Sequence, residues 1–403
     1  MDRRAFLRNG IVSVAGLTAW QSLHPLWQLA QAEEARPEVR YSKETDIAFP
    51  CLEATGTPHE IGLAIGGWFG SGISQALKAR AKWFKPLKDF ATGDGKSTIE
   101  AMMAAACKHT PAVVEELQGW AKGAGMDYLD LFVLNCKSEI EAFIDSRSGC
   151  AGCSTVVVKD GKRLLIFHNE DGHTAYENLM FVLKIKPLGA PRAVGFAYPG
   201  ILEGNAPWVN EHGLVMTTNY IPGKKVVPGI PRYFLDRTAM SARSLEEALR
   251  VVSHPERAYA YHHIVASLVE KRAFSVEATP DNLTVKELDG LFFHTNHLVW
   301  DEMKKEEQFQ KYMKISSHPR YDSLRINLAD IPLGELDHKT VMKALTVHEG
   351  APYSVCRHPS GSVTGATLGN AFFDSSRVSD EEGFSIHLRK NQPCKKLITT
   401  YTV

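Results

Sequence analysis

Apolar positions along the chain follow two regimes that meet near residue 150. Before it they recur at helical spacing. Between Glu60 and Phe84, residues Ile61, Ala64, Ile65, Trp68 and Phe69 share one face. Val113, Val114, Leu117 and Trp120 form another after Pro111, a residue suited to a first helical turn. Tyr128 to Ile140 predicts a third helix. Beyond it the apolar runs are short, alternating or continuous, as strands require. They fall at 153–158, 163–168, 178–186, 192–198 and 213–221, then 262–269, 273–277, 283–288 and 291–295, and last 362–374, 384–389 and 396–403. Helical segments intervene at Tyr233–Ala242 and Leu245–Val252. Helices first, then sheets with helices packed on them, predict an α+β layered domain. No internal repeat, low-complexity tract or charge block divides the chain. One globular domain over 45–403 is expected, with 142–152, polar and glycine-bearing, as its candidate linker.

The tightest cluster of chemistry follows that linker. Gly149-Cys150-Ala151-Gly152-Cys153-Ser154-Thr155 opens a β-branched run, and Asp160-Gly161 is a strong hairpin signal. Folding back there brings Cys153 within reach of Asn169 and Asp171, which share one strand face. Cys150 and Cys153 form a C-x-x-C, but as half of a zinc site it lacks a second pair, and as a redox pair it would open a helix rather than a strand. His168, Asp171, His173, His294 and His297 offer enough ligands for a zinc hydrolase, yet in no compact pattern. No metal and no cofactor are therefore expected. Pro199 to Asn205 has no lysine and no G-x-G-x-x-G, so it reads as a pocket-lining loop rather than a phosphate loop.

Composition narrows the partners. With 403 residues, 44% of them hydrophobic, the chain can bury a large core. Lys plus Arg and Asp plus Glu number 46 each, so no global field attracts nucleic acid or acidic lipid. Seven scattered cysteines do not form a disulfide framework. Arg3-Arg4-Ala5-Phe6-Leu7, an apolar stretch from Ile11 to Trp20 and Ala30-Gln31-Ala32 resemble a twin-arginine export signal over 1–32. A periplasmic or secreted location, with no stable membrane insertion after signal removal, is expected.

Several segments occur in the order seen in one group of proteins: Gly56-Thr57-Pro58-His59-Glu60-Ile61-Gly62, Leu134-Asn135 with Glu139, Gly152-Cys153-Ser154-Thr155, Asn169-Glu170-Asp171, His294-Thr295-Asn296-His297, Pro352-Tyr353-Ser354-Val355-Cys356-Arg357 and Gly365-Ala366-Thr367-Leu368. Together they resemble the autoproteolytic acyltransferase/hydrolase family typified by fungal acyl-CoA:6-aminopenicillanate acyltransferase (peptidase family C45). They look more like its hydrolase branch, which includes the insect β-alanyl-dopamine and carcinine hydrolase. The resemblance implies an N-terminal nucleophile hydrolase with a four-layer αββα fold. It implies self-cleavage between Gly152 and Cys153 into an α chain (33–152) and a β chain (153–403) that stay together as a heterodimer. By resemblance Cys153 is the nucleophile, Asp171 accepts from its freed α-ammonium, and the side-chain amide of Asn296 helps to bind the oxyanion. Asn169 completes the catalytic set; Glu170, His168, Thr155 and Ser354 are supporting positions. Arg357 would steady a substrate carboxylate or the Asp171 charge, or else form a surface ion pair.

The chemistry suits that assignment. A thiol with pKa about 8.5 needs a base, and a free α-amino group titrating at about 7.7–8.0 supplies one on the same residue. Glu170 and His168 stand where the penicillin enzyme has tryptophan and glutamine, so its acyl-CoA and penicillin specificity is not implied. The expected substrate is a small amide, an N-acylated amine, amino acid or β-alanyl conjugate, cleaved through a thioester, with water or a simple amine as acceptor. The alternatives are a signal-quenching or antibiotic-modifying amidase, a zinc-dependent exported hydrolase, and an inactive binding protein on the same fold.

Overall fold

The computed structural model describes the backbone of residues 39–42 and residues 48–403 apart from 147–151, 162, 309–310, 312, 378–382 and 396–397. The expected export signal (1–32) and Gly149, Cys150 and Ala151 lie outside the described residues.

The first part is helical. Helix α1 (Pro58–Ala79) starts at a capping box, in which Thr57 Oγ1 accepts from the Glu60 N–H at 3.3 Å and the Thr57 N–H donates to Glu60 Oε2 at 2.7 Å. Gly56 just before it has φ 142°, and a Cβ there would stand 2.6 Å from Glu60 Oε2, so the box needs a glycine. Helices α2 (Ala81–Thr92), α3 (Lys96–His109), α4 (Pro111–Ala124), α5 (Tyr128–Asn135) and α6 (Lys137–Phe143) follow. The helix expected to reach Phe84 stops at Ala79, and the one expected over 128–140 breaks at Cys136.

Helices α1 and α4 meet backbone to backbone through two glycine pairs. A Cβ on Gly62 would lie 2.0 Å from the Glu116 carbonyl oxygen and one on Gly66 2.2 Å from that of Trp120. Reciprocally, Gly119 abuts the His59 carbonyl and Gly123 that of Leu63, at 2.2 and 2.4 Å. The periodicity that predicted both helices thus records only half of their contact; glycines make the rest.

Two sheets fill the middle. The strands are β1 (Val39–Ser42), β2 (Cys51–Gly56), β3 (Gly152–Lys159), β4 (Leu164–His173), β5 (Phe181–Pro187), β6 (Ala193–Ala197), β7 (Trp208–Asn210) and β8 (Leu214–Tyr220). After α7 (Arg232–Ala239) and α8 (Leu245–Val252) come β9 (Tyr261–Ser267), β10 (Arg272–Ala278), β11 (Leu283–Glu287) and β12 (Gly290–His294). Helices α9 (His318–Leu328) and α10 (His338–Leu345) precede β13 (Gly365–Asp374), β14 (Ser385–Lys390) and β15 (Ile398–Thr402). In space one sheet runs β1-β2-β5-β6-β7-β8-β9-β10-β11 and the other β12-β3-β4-β13-β14-β15. Among the described strands, β2–β5 is the one parallel pair.

The central strands of the smaller sheet, β3, β4 and β13, are buried on both faces. Val157 and Ile166 join Phe196, Val215 and Val265 of the larger sheet in one core. Val156, Val158, Leu165 and Phe167 point the other way, onto Leu324 and Leu328 of α9 and Val341 and Leu345 of α10. Helix α1 packs along β2 and α8 along β9 on the outer side of the larger sheet. The result is the α+β, four-layer αββα sandwich. The apolar pattern had not singled out α2, α3, α9 and α10. In α9 the reason is visible: its buried residues are Arg320, Leu324 and Leu328, a stripe too narrow to register.

The glycine contacts predict opposite effects for one substitution on one helix. Gly62→Ala lowers unfolding free energy by about 1–3 kcal/mol, the usual range for overpacking. Gly67→Ala, exposed and with nothing nearer than 3.9 Å, raises it by up to about 1 kcal/mol through helix propensity. Urea unfolding followed by circular dichroism checks both.

Candidate active site

The site begins with the pairing of β3 and β4. Lys159 pairs with Leu164, and the ladder continues through Thr155–His168, Ser154–Asn169 and Cys153–Glu170 to Gly152–Asp171. Directly paired residues share a face. Cys153, Thr155, His168 and Glu170 therefore point between the two sheets, whereas Ser154 and Asn169 point toward α9, α10 and the loop after them. Asn169 and Asp171 do lie on one side of their strand, as expected, but it is the side opposite the Cys153 side chain.

Cys153 is held at every backbone polar group. Its N–H donates to Asn296 Oδ1 at 2.9 Å. Its carbonyl accepts from Arg320 Nη1 at 2.7 Å, and the same guanidinium donates to Ser154 Oγ (2.9 Å) and Asn296 Oδ1 (2.6 Å). Because arginine can only donate, the Asn296 atom facing it is the oxygen. The Asn296 Nδ2 group turns away and donates to the Tyr220 carbonyl at 3.0 Å. Burial pushes the Cys153 thiol well above its usual range, as do the neighbouring Glu170 and Asp171 carboxylates; the Asp171 backbone N–H and Arg320 pull the other way.

A polar chain runs from the thiol into the space between the sheets. Glu170 Oε1 accepts from the Tyr198 hydroxyl at 2.7 Å, and its Oε2 lies 3.0 Å from His168 Nε2. His168 Nδ1 meets Thr155 Oγ1 at 2.8 Å, and that hydroxyl donates to Asn219 Oδ1 at 3.0 Å. The ligand atoms of Cys153, His168 and Glu170 lie within 4.8 Å of one another, a donor set that could hold a metal. The five groups singled out for a zinc hydrolase do not converge. His173 Nδ1 accepts from the Ala175 N–H, His294 Nε2 meets Glu277 Oε1 at 3.1 Å, and His297 Nδ1 meets Ser317 Oγ at 2.8 Å.

On the other face Asn169 Nδ2 donates to the carbonyls of Leu345 and Val355, both at 3.0 Å, and its Oδ1 accepts from Asn370. It ties down the loop that carries Arg357. Asp171 Oδ1 accepts from Thr367 Oγ1 at 2.7 Å, and its Oδ2 lies 3.8 Å from Arg357 Nη1. Arg357 is fully buried and its N–H donates to the same threonine oxygen at 3.0 Å. Of the three readings left open for Arg357, the geometry gives the partner of Asp171. Burial raises the Asp171 carboxyl to about 6, against the pull of Arg357, Arg320 and Thr367. Ser354 stands apart, donating to the Cys356 carbonyl at 2.7 Å.

Cys153, Glu170 and Asp171 border a cleft of about 760 Å³ counting its open mouth. The loop expected to line a pocket contributes Ile201 and Asn205, and Tyr198 sits just before it. Asn205 is buried, and its side-chain oxygen has no hydrogen-bond partner among the described residues. The helical part supplies Arg80 and Lys137. Arg320, Thr367 and Tyr198 escaped sequence reasoning. Thr367 lies in the Gly365–Leu368 segment but had no role assigned, Arg320 and Tyr198 lie in no motif, and a buried guanidinium is revealed only by the carbonyl it caps.

The model for the acyl-coenzyme A:6-aminopenicillanic acid acyl-transferase family matches residues 157–379. A beta-alanyl-dopamine/carcinine hydrolase of Drosophila melanogaster is 28% identical over 223 residues, covering 51% of this chain and 57% of the fly protein, so the chain spans less than two thirds of that relative. The 40 kDa form of acyl-coenzyme A:6-aminopenicillanic-acid-acyltransferase from Emericella nidulans is 27% identical over 342 residues, 79% of this chain and 88% of the fungal one. Among solved structures, a conjugated bile acid hydrolase mutant from Clostridium perfringens aligns with TM-score 0.38 and 13% identity, covering 62% of this chain and 97% of that one. Penicillin V acylase from Agrobacterium tumefaciens aligns with TM-score 0.35 and 11% identity over 59% of this chain and 82% of that one. The chain belongs to the acyl-coenzyme A:6-aminopenicillanic acid acyl-transferase family.

Proposed function

We propose that this chain is a self-processing cysteine N-terminal nucleophile amidohydrolase with acyltransferase capacity. It breaks its own Gly152–Cys153 bond, then cleaves the amide bond of small N-acyl amines or amino-acid conjugates through a thioester on Cys153. The observation that carries this reading is the grip on Cys153: a thiol at the cleft, its nitrogen on Asn296 Oδ1 and its carbonyl on Arg320.

In the first cut no free amine exists, and the thiol needs another base. Asp171, with a carboxyl raised to about 6 and its charge felt at the thiol, suits that task. The thiol attacks the Gly152 carbonyl, the peptide nitrogen leaves with the proton the base removed, and water hydrolyses the Gly152 thioester. The new α-amine then serves turnover. It takes the thiol proton as sulfur attacks the substrate carbonyl, passes it to the leaving amine, and activates water against the acyl-enzyme. Asn296 Oδ1 would keep its place as acceptor for that amine. Its Nδ2 is occupied by Tyr220, so we assign the oxyanion donor instead to Asn205 Nδ2, brought to the cleft by turning over an amide whose Oδ1 has no partner among the described residues to hold it.

Arg80 and Lys137 favour a substrate with a carboxylate, hence an N-acyl amino acid over a simple amide. The Arg3-Arg4 segment supports action outside the cytoplasmic membrane after export.

The thioester is testable directly. Mixing enzyme with an activated N-acyl substrate and quenching in acid gives a Cys153-containing chain heavier by one acyl group, and hydroxylamine removes the mass. Cys153→Ala acquires none; acylation at any other residue contradicts the mechanism. A second expectation concerns pH. The folded chain holds the Asp171 proton more tightly than the unfolded one, whose carboxyl titrates near 3.8. Ionising it therefore costs stability, a cost that grows from about pH 4 to about pH 6 and is constant above. Self-cleavage, which uses the ionised form, rises through an apparent pKa near 6. Thr367→Val removes a donor to that anion and moves the limb to higher pH; a limb that stays put or falls argues against Asp171 as base.

A further inference from the structure

Beside Arg357 the fold gathers four side chains that no motif relates. His348, Cys356 and His358 come from the loop after α10 and Cys394 from the turn between β14 and β15, and their ligand atoms all lie within 4.8 Å of one another. His358 Nε2 stands 3.4 Å from Cys394 Sγ and 3.7 Å from Cys356 Sγ. The rings of His348 and His358 meet edge to face, 4.8 Å apart at 89°. With zinc bonds of about 2.3 Å to sulfur and about 2.0–2.1 Å to nitrogen, a tetrahedron sets neighbouring sulfur and nitrogen about 3.6 Å apart. The two measured separations bracket that value.

We propose that His348, Cys356, His358 and Cys394 form a structural zinc site. Two thiolates and two imidazoles are the soft, borderline donors that zinc takes in closed four-ligand sites. Burial is graded as a fillable site requires: Cys356 is buried, His358 and Cys394 are half-buried, and exposed His348 leaves an entry path. Zinc entering as the dication displaces one proton from each thiol and leaves a neutral Cys2His2 centre. The mechanism proposed for the cleft uses none of the four.

The site would act on the cleft by position. The Cys356 N–H donates to the Val347 carbonyl at 3.0 Å, closing the loop. The next residue, Arg357, shares Thr367 Oγ1 with Asp171. Zinc would staple this loop to the β14–β15 turn and hold Arg357 against Asp171 from outside. The inference stands whether or not Cys153 is the nucleophile.

The test uses the full chain purified without chelator. The expected result is one zinc per chain, released by a strong chelator with a fall in Tm. Cobalt refilling should give a thiolate-to-metal charge-transfer band and tetrahedral d–d bands. Cys356→Ser/Cys394→Ser should lose both the metal and the bands. His348→Ala, at an exposed ligand outside the hydrophobic core, should fold and bind zinc more than about tenfold weaker. Cys153→Ala should keep its zinc, which separates this site from the Cys153, His168 and Glu170 group. A wild-type chain that takes up neither zinc nor cobalt overturns the proposal. So does a Cys356–Cys394 disulfide in freshly isolated protein, full zinc in the double serine variant, or zinc lost from Cys153→Ala.

Discussion

Everything around Cys153 depends on the register between β3 and β4. A slip of one residue would turn Ser154 toward the space between the sheets and bury Cys153 against α9. Packing on both faces forbids it: Val157 and Ile166 fit the inter-sheet core, while Val156, Val158, Leu165 and Phe167 fit the helical layer. The Thr155–His168 hydrogen bond locks the pairing from within. A guanidinium buried without partners would cost several kcal/mol. Arg320 is instead satisfied by Asn296 and by Cys153 and Ser154, and the last two contacts require β3 in this position.

That register divides the polar groups of one hairpin into two devices. Toward the larger sheet, Glu170, His168 and Thr155 form a hydrogen-bonded column behind the thiol. Toward the helices, Asn169 holds the carbonyls of Leu345 and Val355, and Asp171 holds Thr367 and Arg357. The first device shapes the nucleophile's surroundings. The second fixes a loop whose own anchoring reaches the edge of the smaller sheet. The two meet at the cleft, which Cys153 and Asp171 both border although their side chains leave opposite faces of the strand pair.

Much of this was legible in the sequence. The apolar alternation gave most strands of both sheets to within a few residues, and Asp160-Gly161 marked the hairpin. The strand face was not legible from spacing alone, for a definable reason. A shared strand face groups Asn169 with Asp171, yet any hairpin loop with an even number of residues sets even-numbered positions of β4 opposite odd-numbered positions of β3. Lys159 pairs with Leu164, so 160–163 is such a loop, and Glu170 is the partner. Loop parity could have found it. Arg320 was beyond reach, because a cation in a helix without a broad apolar stripe reads as solvent-facing. The His348, Cys356, His358 and Cys394 cluster was equally hidden, since its fourth member joins only through sheet pairing far along the chain.

The central claim is that the Gly152–Cys153 bond is the enzyme's first substrate and that Cys153 then becomes an amino terminus. Intact-mass analysis of the active wild-type protein, with amino-terminal sequencing, tests it most directly. The account predicts two tightly associated chains, the second starting at Cys153, and a single chain for Cys153→Ala. A fully active protein in which the Gly152–Cys153 bond is intact would contradict it.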